Sequence, residues 1–254
     1  MFPKIRSLPF VAAFAAGVLT AQVVSAADSP KVSTFAPAED LVKQADAYID
    51  SLQSCVADEG EYRDSTGKIA CESNTLVVIA LALGLHDQDN KYKTSAGAVL
   101  KAAQGVAAAK DFASAKKAID ALAELKSGKG KSEGTLRWEK VASQPELMKQ
   151  VPTVNTKLTM GLKPTAFAKK AKATAGYSAV LATIANASIF DPSATKDALQ
   201  VKQWETFSAA MRDDAGELNA AIHKGAQAAA AKSLQKLTKS CDDCHAVFKP
   251  EVKK

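Results

Sequence analysis

The sequence predicts an all-α chain of two tandem antiparallel four-helix bundles. Apolar residues recur at helical spacing through most of the 254 residues, and no stretch shows the strict alternation of a half-buried strand. The chain is also written twice. Asp40-Leu41-Val42-Lys43-Gln44 matches Glu146-Leu147-Met148-Lys149-Gln150, and the match continues ungapped from Leu52 against Leu158 to Val56 against Leu162. A second block pairs Leu76 to Asp87 with Val180 to Asp191, and a third pairs Leu122 and Leu125 with Leu234 and Leu237. The spacing changes only between blocks, where loops belong, so the repeat defines a first unit over 37–130 and a second over 131–254.

The elements follow in order. In the first unit helices are expected over Leu41 to Val56, Thr75 to Leu85, Thr94 to Ala109 and Phe112 to Leu125. The segment between Cys55 and Cys71 carries Asp58, Glu59, Gly60, Asp64, Ser65 and Gly67 and reads as a long polar loop. Ser127 to Ser132, rich in Gly, Lys and Ser, reads as a flexible linker. In the second unit Leu147, Val151, Val154, Leu158 and Leu162 mark the first helix, with Pro152 expected to kink it or mark its start. Ala166 to Phe190 is an Ala-rich helix stopped by Asp191-Pro192. Trp204, Phe207, Met211, Leu218 and Ile222 mark the third. Gly225 interrupts, and Ala226 to Ser240 is the fourth, with Leu234 and Leu237 facing inward. Short links imply antiparallel neighbours, hence up-and-down bundles.

After the last helix comes Cys241-Asp242-Asp243-Cys244-His245. This is the C-x-x-C-H spacing of c-type haem attachment. Two thiols three positions apart can each form a thioether to a vinyl-derived carbon of the porphyrin, and the adjacent His supplies the iron's axial ligand. A thioredoxin-like motif would sit beside a strand–helix unit. A zinc site would need further paired ligands, and Cys55, Cys71, His86 and His223 are scattered. The matching segment of the first unit, Ser127 to Ser132, has neither thiol nor His. One covalent haem c per chain is therefore expected, in the second unit.

Met1 to Ala26 reads as a secretory signal peptide, with Lys4 and Arg6 at the start, a mostly apolar Leu8 to Val24, and a small-residue cleavage site at Val24-Ser25-Ala26. Pro9, Gly17, Thr20 and Gln22 break that run short of the roughly 20 apolar residues a membrane span needs. A soluble, periplasmic mature protein with no span is the expectation. Losing Lys4 and Arg6 lowers the formal net charge of +6 by two. That mild positive bias suits an acidic redox partner. No basic stripe interleaved with aromatics suggests nucleic acid; Lys169, Lys170 and Lys172 read as a solvated helix face. No Ser/His/Asp set, metal-ligand His pair or phosphate loop suggests an enzyme.

These residues resemble a known family. An exported four-helix bundle with C-x-x-C-H at the end of its last helix is similar to the class II c-type cytochromes, the cytochrome c′ group. Phe248 and Lys249 fill the aromatic and basic positions that follow the motif in that family, and Trp204 matches its Trp in helix three. The resemblance covers about Glu146 to Lys249 and extends to the first unit only through the repeat. It implies an electron carrier or an open haem site. Members with a sixth ligand use a Met early in helix one, and Met148 holds that place; its first-unit counterpart is Val42. The alternative is that Met148 fills a gap in the core, as Met160 and Met211 are expected to do. Residues 246–254 hold neither Met nor His, so any sixth ligand comes from upstream. With Met148 bound, the expected role is single-electron transfer between periplasmic redox partner proteins. With the iron open, the expected ligand is nitric oxide or carbon monoxide. Members often dimerise through bundle faces, so a homodimer is one expectation and an internal contact between the units the other. His223, at a polar helix end, is expected to be exposed. An oxidising compartment suggests a disulfide between Cys55 and Cys71.

Overall fold

The computed structural model describes residues 29–132 and 134–249. The signal peptide expected over Met1 to Ala26 lies outside them. The described residues are all-helical and form no strand, with eight α-helices: α1 (Ala38–Ser54), α2 (Glu59–Leu85), α3 (Ala96–Ala108), α4 (Phe112–Glu124), α5 (Gln144–Gly161), α6 (Phe167–Ile189), α7 (Ala198–His223) and α8 (Gln227–Phe248).

Side-chain periodicity dictates how they pack. In α1, Leu41, Ala45, Ile49 and Leu52 form one buried stripe; in α5, Leu147, Val154 and Leu158 do the same. The C-terminal halves of α2 and α6 are mostly apolar and buried all round, and Leu76 to Leu83 and Val180 to Ala187 are buried without interruption. A helix of that kind must sit at the centre of its neighbours. α2 is the only helix among the described residues long and apolar enough to cross a membrane, and its apolar stretch is mostly buried within the molecule. Helices α1 to α4 close into a ring, with α4 returning to α1. Helices α5 to α8 pack in sequence, but α5 and α8 scarcely touch.

α2 starts four turns earlier than its apolar run. Asp58 caps it, its carboxylate accepting the Glu61 N–H at 2.9 Å. The expected polar loop is therefore a solvated helix. This overturns the expected disulfide: Cys71 lies about 18 Å along the axis from the start of α2, whereas a bridge needs Cα atoms within about 7 Å. Both thiols are free. Cys55 is buried, and Cys71 donates to the Glu146 carboxylate at 3.4 Å. Pro152 does not break α5, which runs through it. The linker is not loose either. Ser132 bonds Thr94 and Gly97, Gln104 donates to the Val141 carbonyl at 2.8 Å, and buried Trp138 stacks on Phe190 at 6.1 Å.

The third repeat block shifts by one turn. α3 to α4 and α7 to α8 are joined by equivalent tight turns, 109–111 and 224–226. Superposing them pairs Ala115 with Ala230 and Leu122 with Leu237, all buried, while Leu234 is only partly so. Leucines three apart in both copies permit either register, and burial selects this one. Counted from that turn, α7 has 26 residues against 13 in α3, and α8 has 22 against 13 in α4. In the first unit the chain leaves the helix at Gly128, whose φ of +74° few other residues adopt. In the second it runs on.

The two units share one hydrophobic core, with α1 and α2 packed on α5 and α6. Buried Asp40 of α1 accepts Asn219 at 2.8 Å and faces His223 at 2.7 Å. Gln150 donates to the Tyr48 hydroxyl at 3.1 Å, and Ser143 N–H to Asn74 at 2.7 Å. At Gly176 the helices approach so closely that a Cβ would lie 2.4 Å from the Gln44 amide.

Candidate functional site

The C-x-x-C-H residues lie on the extra length of α8. The helix continues through them to Phe248, so Cys241, Cys244 and His245, at i, i+3 and i+4, share one face. The extra length of α7 packs alongside. Trp204 meets Phe248 edge-on at 5.2 Å, and Phe207 does so at 6.3 Å. The Trp204 indole N–H donates to the Ser188 carbonyl at 2.6 Å, one of the last carbonyls of α6, which lack helical partners. Ser188 also exchanges hydrogen bonds with Gln144 at the start of α5. α7 is thereby anchored to α6, and α6 to α5.

Between these anchors is a narrow cleft of about 40 Å³. Cys241, Cys244 and His245 line it from α8, Trp204, Phe207 and Met211 from α7, and Met148 and Val151 from α5. It exists because α5 and α8 do not close on each other as α1 and α4 do. The sequence-predicted Cys241, Cys244, His245, Trp204 and Met148 thus come together in one place. Met148 is half-buried.

Several assignments change. Met211 lines this cleft as Met148 does; it was expected in the core, although its spacing from Trp204 and Phe207 puts all three on one stripe of α7. Met160 is 50% exposed, outside any core. His223 is about half exposed, as its polar helix end suggests, yet it is tied to Asp40 across the unit boundary. Lys169, Lys170 and Lys172 are exposed on α6. His86 is fully buried, its Nε2 at 3.0 Å from the Ala36 carbonyl and its Nδ1 accepting the Gln88 N–H. Both ring nitrogens are therefore committed to backbone.

Burial pushes the Cys241 thiol up to about 11, with the Asp242 carboxylate and Cys244 adding to it, and burial raises Cys244 as well. Both are protonated at neutral pH. A redox-active Cys-x-x-Cys pair needs the opposite, a lowered thiol. No group of three His, Cys, Asp or Glu side chains gathers around a bare metal ion among the described residues. The donor set and lining instead fit a covalently held tetrapyrrole: two thiols and one imidazole on a helix face, aromatic and aliphatic walls, and thioether sulfurs among the upstream residues.

Comparisons with protein-family models, with curated proteins and with solved structures give no match.

Proposed function

We propose that this chain is an exported c-type cytochrome that carries single electrons between periplasmic partner proteins. It is built as two tandem antiparallel four-helix bundles, and only the second bears haem. The observation that carries the reading is the convergence of Cys241, Cys244 and His245 on one cleft that also takes in Met148. Cys241 and Cys244 would hold the porphyrin through thioethers, and His245 and Met148 would ligate the iron. Haem held by His and Met supplies a one-electron centre of raised potential. The protein's own contribution is placement. Trp204, pinned by Ser188, with Val151 and Phe207 gives the cleft apolar walls. The first unit, with Val42 in place of Met148 and α4 ending at Glu124, short of the position equivalent to Cys241, supports the second from α1 and α2.

A five-coordinate site for nitric oxide or carbon monoxide is the second reading. It draws on the apolar Val151 and Phe207 beside the cleft. Absorption spectra of the oxidised and reduced protein separate the two. For the carrier, the wild type is low-spin and Met148→Ala turns high-spin, while Met211→Ala stays low-spin. A wild type that is already high-spin and binds carbon monoxide promptly on reduction supports the open site instead.

A further inference from the structure

A second cleft lies between the two units, bounded by α1, α2, α5 and α6, far in sequence from Cys241 and Cys244. Its volume is about 480 Å³, within the roughly 300–1,000 Å³ typical of small-molecule sites. We propose that it binds a small aromatic carboxylate bearing a hydroxyl on the far side of its ring.

The chemistry is graded. Lys43, Lys157 and Lys172 line it, and Lys157 and Lys172 are exposed. Lys43 pairs with Glu39. Among the described residues no carboxylate pairs with Lys157 or Lys172. Lys157 instead lies 5.7 Å over the Tyr177 ring. Two cations without a carboxylate partner beside one opening favour an anionic head group. The interior is different. The Tyr48 and Tyr177 rings line it with buried Val154, and exposed Ala47 and Ala173 complete its walls, which suits a flat apolar body.

Glu72 supplies the specific requirement. Its residue is 6% exposed, it lines the cleft, and its Oε2 has no hydrogen-bond partner. A buried polar atom left unpaired is costly, and nearly all such atoms in folded proteins have partners. Burial raises the Glu72 carboxyl above its ordinary value, against the opposing effects of Ser51, Lys68 and Lys157. A phenolic hydroxyl meets both charge states of that carboxyl: it donates to the carboxylate and accepts from the acid. The ligand's two ends thus answer the lysines and Glu72, and its ring the tyrosines. Both repeats contribute walls, so the site arises only where the units dock. It does not depend on what the α8 cleft holds.

The test is calorimetric titration of the purified full chain with 4-hydroxybenzoate and, separately, benzoate. One 4-hydroxybenzoate should bind per chain, at least tenfold more tightly than benzoate. Glu72→Leu should erase that preference, and Glu72→Gln, which still donates and accepts, should keep it. The double variant Lys157→Ala, Lys172→Ala should weaken both ligands at least tenfold with the helical circular dichroism unchanged. No saturable binding of 4-hydroxybenzoate at millimolar concentration would overturn the proposal. So would equal affinity for the two ligands, or binding indifferent to the lysine pair.

Discussion

Two hydrogen bonds outweigh burial at Asp87. Burial alone would raise this carboxyl, but Ser33 donates its N–H at 2.9 Å and its hydroxyl at 2.6 Å, and the pKa falls to about 2. A carboxylate depressed below its ordinary 3.8 stabilises the fold above that value and loses the contribution as pH falls toward 2. Asp87 is exposed, so solvent screens its bonds, and Asp87→Ala should cost about 0.5–1 kcal/mol at pH 7. The difference from wild type should vanish near pH 2 in denaturant melts; a constant gap at all pH values would refute the linkage. At this scale the sequence was legible where chemistry is carried by spacing, as in Cys241, Cys244 and His245. It was not legible where a partner is remote. Nothing near His223 announces Asp40, and nothing near Tyr48 announces Gln150. Met211 is intermediate. Its helical spacing from Trp204 was visible, but the same spacing describes a core stripe.

Element boundaries were read best where apolar pattern and stop signals agree. α6 ends at Ile189, just before Asp191-Pro192, and α4 spans nearly the expected residues. The error at α2 has a plain cause. Its first four turns are solvated, so they carry polar residues and two glycines that imitate a loop. The available signal was Asp58 followed three residues later by Glu61, a helix-start pattern. Asp58→Ala should therefore destabilise the protein by about 1 kcal/mol; a change below a few tenths in urea denaturation would mean that the cap carries no weight. The extra lengths of α7 and α8 were foreshadowed only by the absence of a Cys-x-x-Cys in the first unit. Their consequence is local: the two extensions pack on each other through Trp204 and Phe248 and make the cleft walls that the first unit lacks.

For the whole molecule, the repeat announced two units but not how closely they join. One core runs through both, and Asp40 with Asn219, Tyr48 with Gln150, and Asn74 with Ser143 tie them across sequence separations no local pattern encodes. Calorimetry should accordingly show one cooperative unfolding transition, with the van't Hoff and calorimetric enthalpies equal. Two resolved transitions would mean that the units are thermodynamically separate. The same sharing packs α1 and α2 of the first unit on α5 and α6 of the second.

Haem content of the purified protein after denaturation bears most directly on the proposed function. The visible spectrum of the unfolded chain, after any loosely held pigment is extracted, counts covalent haem per polypeptide. One haem per chain, lost in a Cys241→Ala, Cys244→Ala variant, is the expected result. No haem retained, or two, would contradict the assignment of Cys241, Cys244 and His245 as a single attachment site.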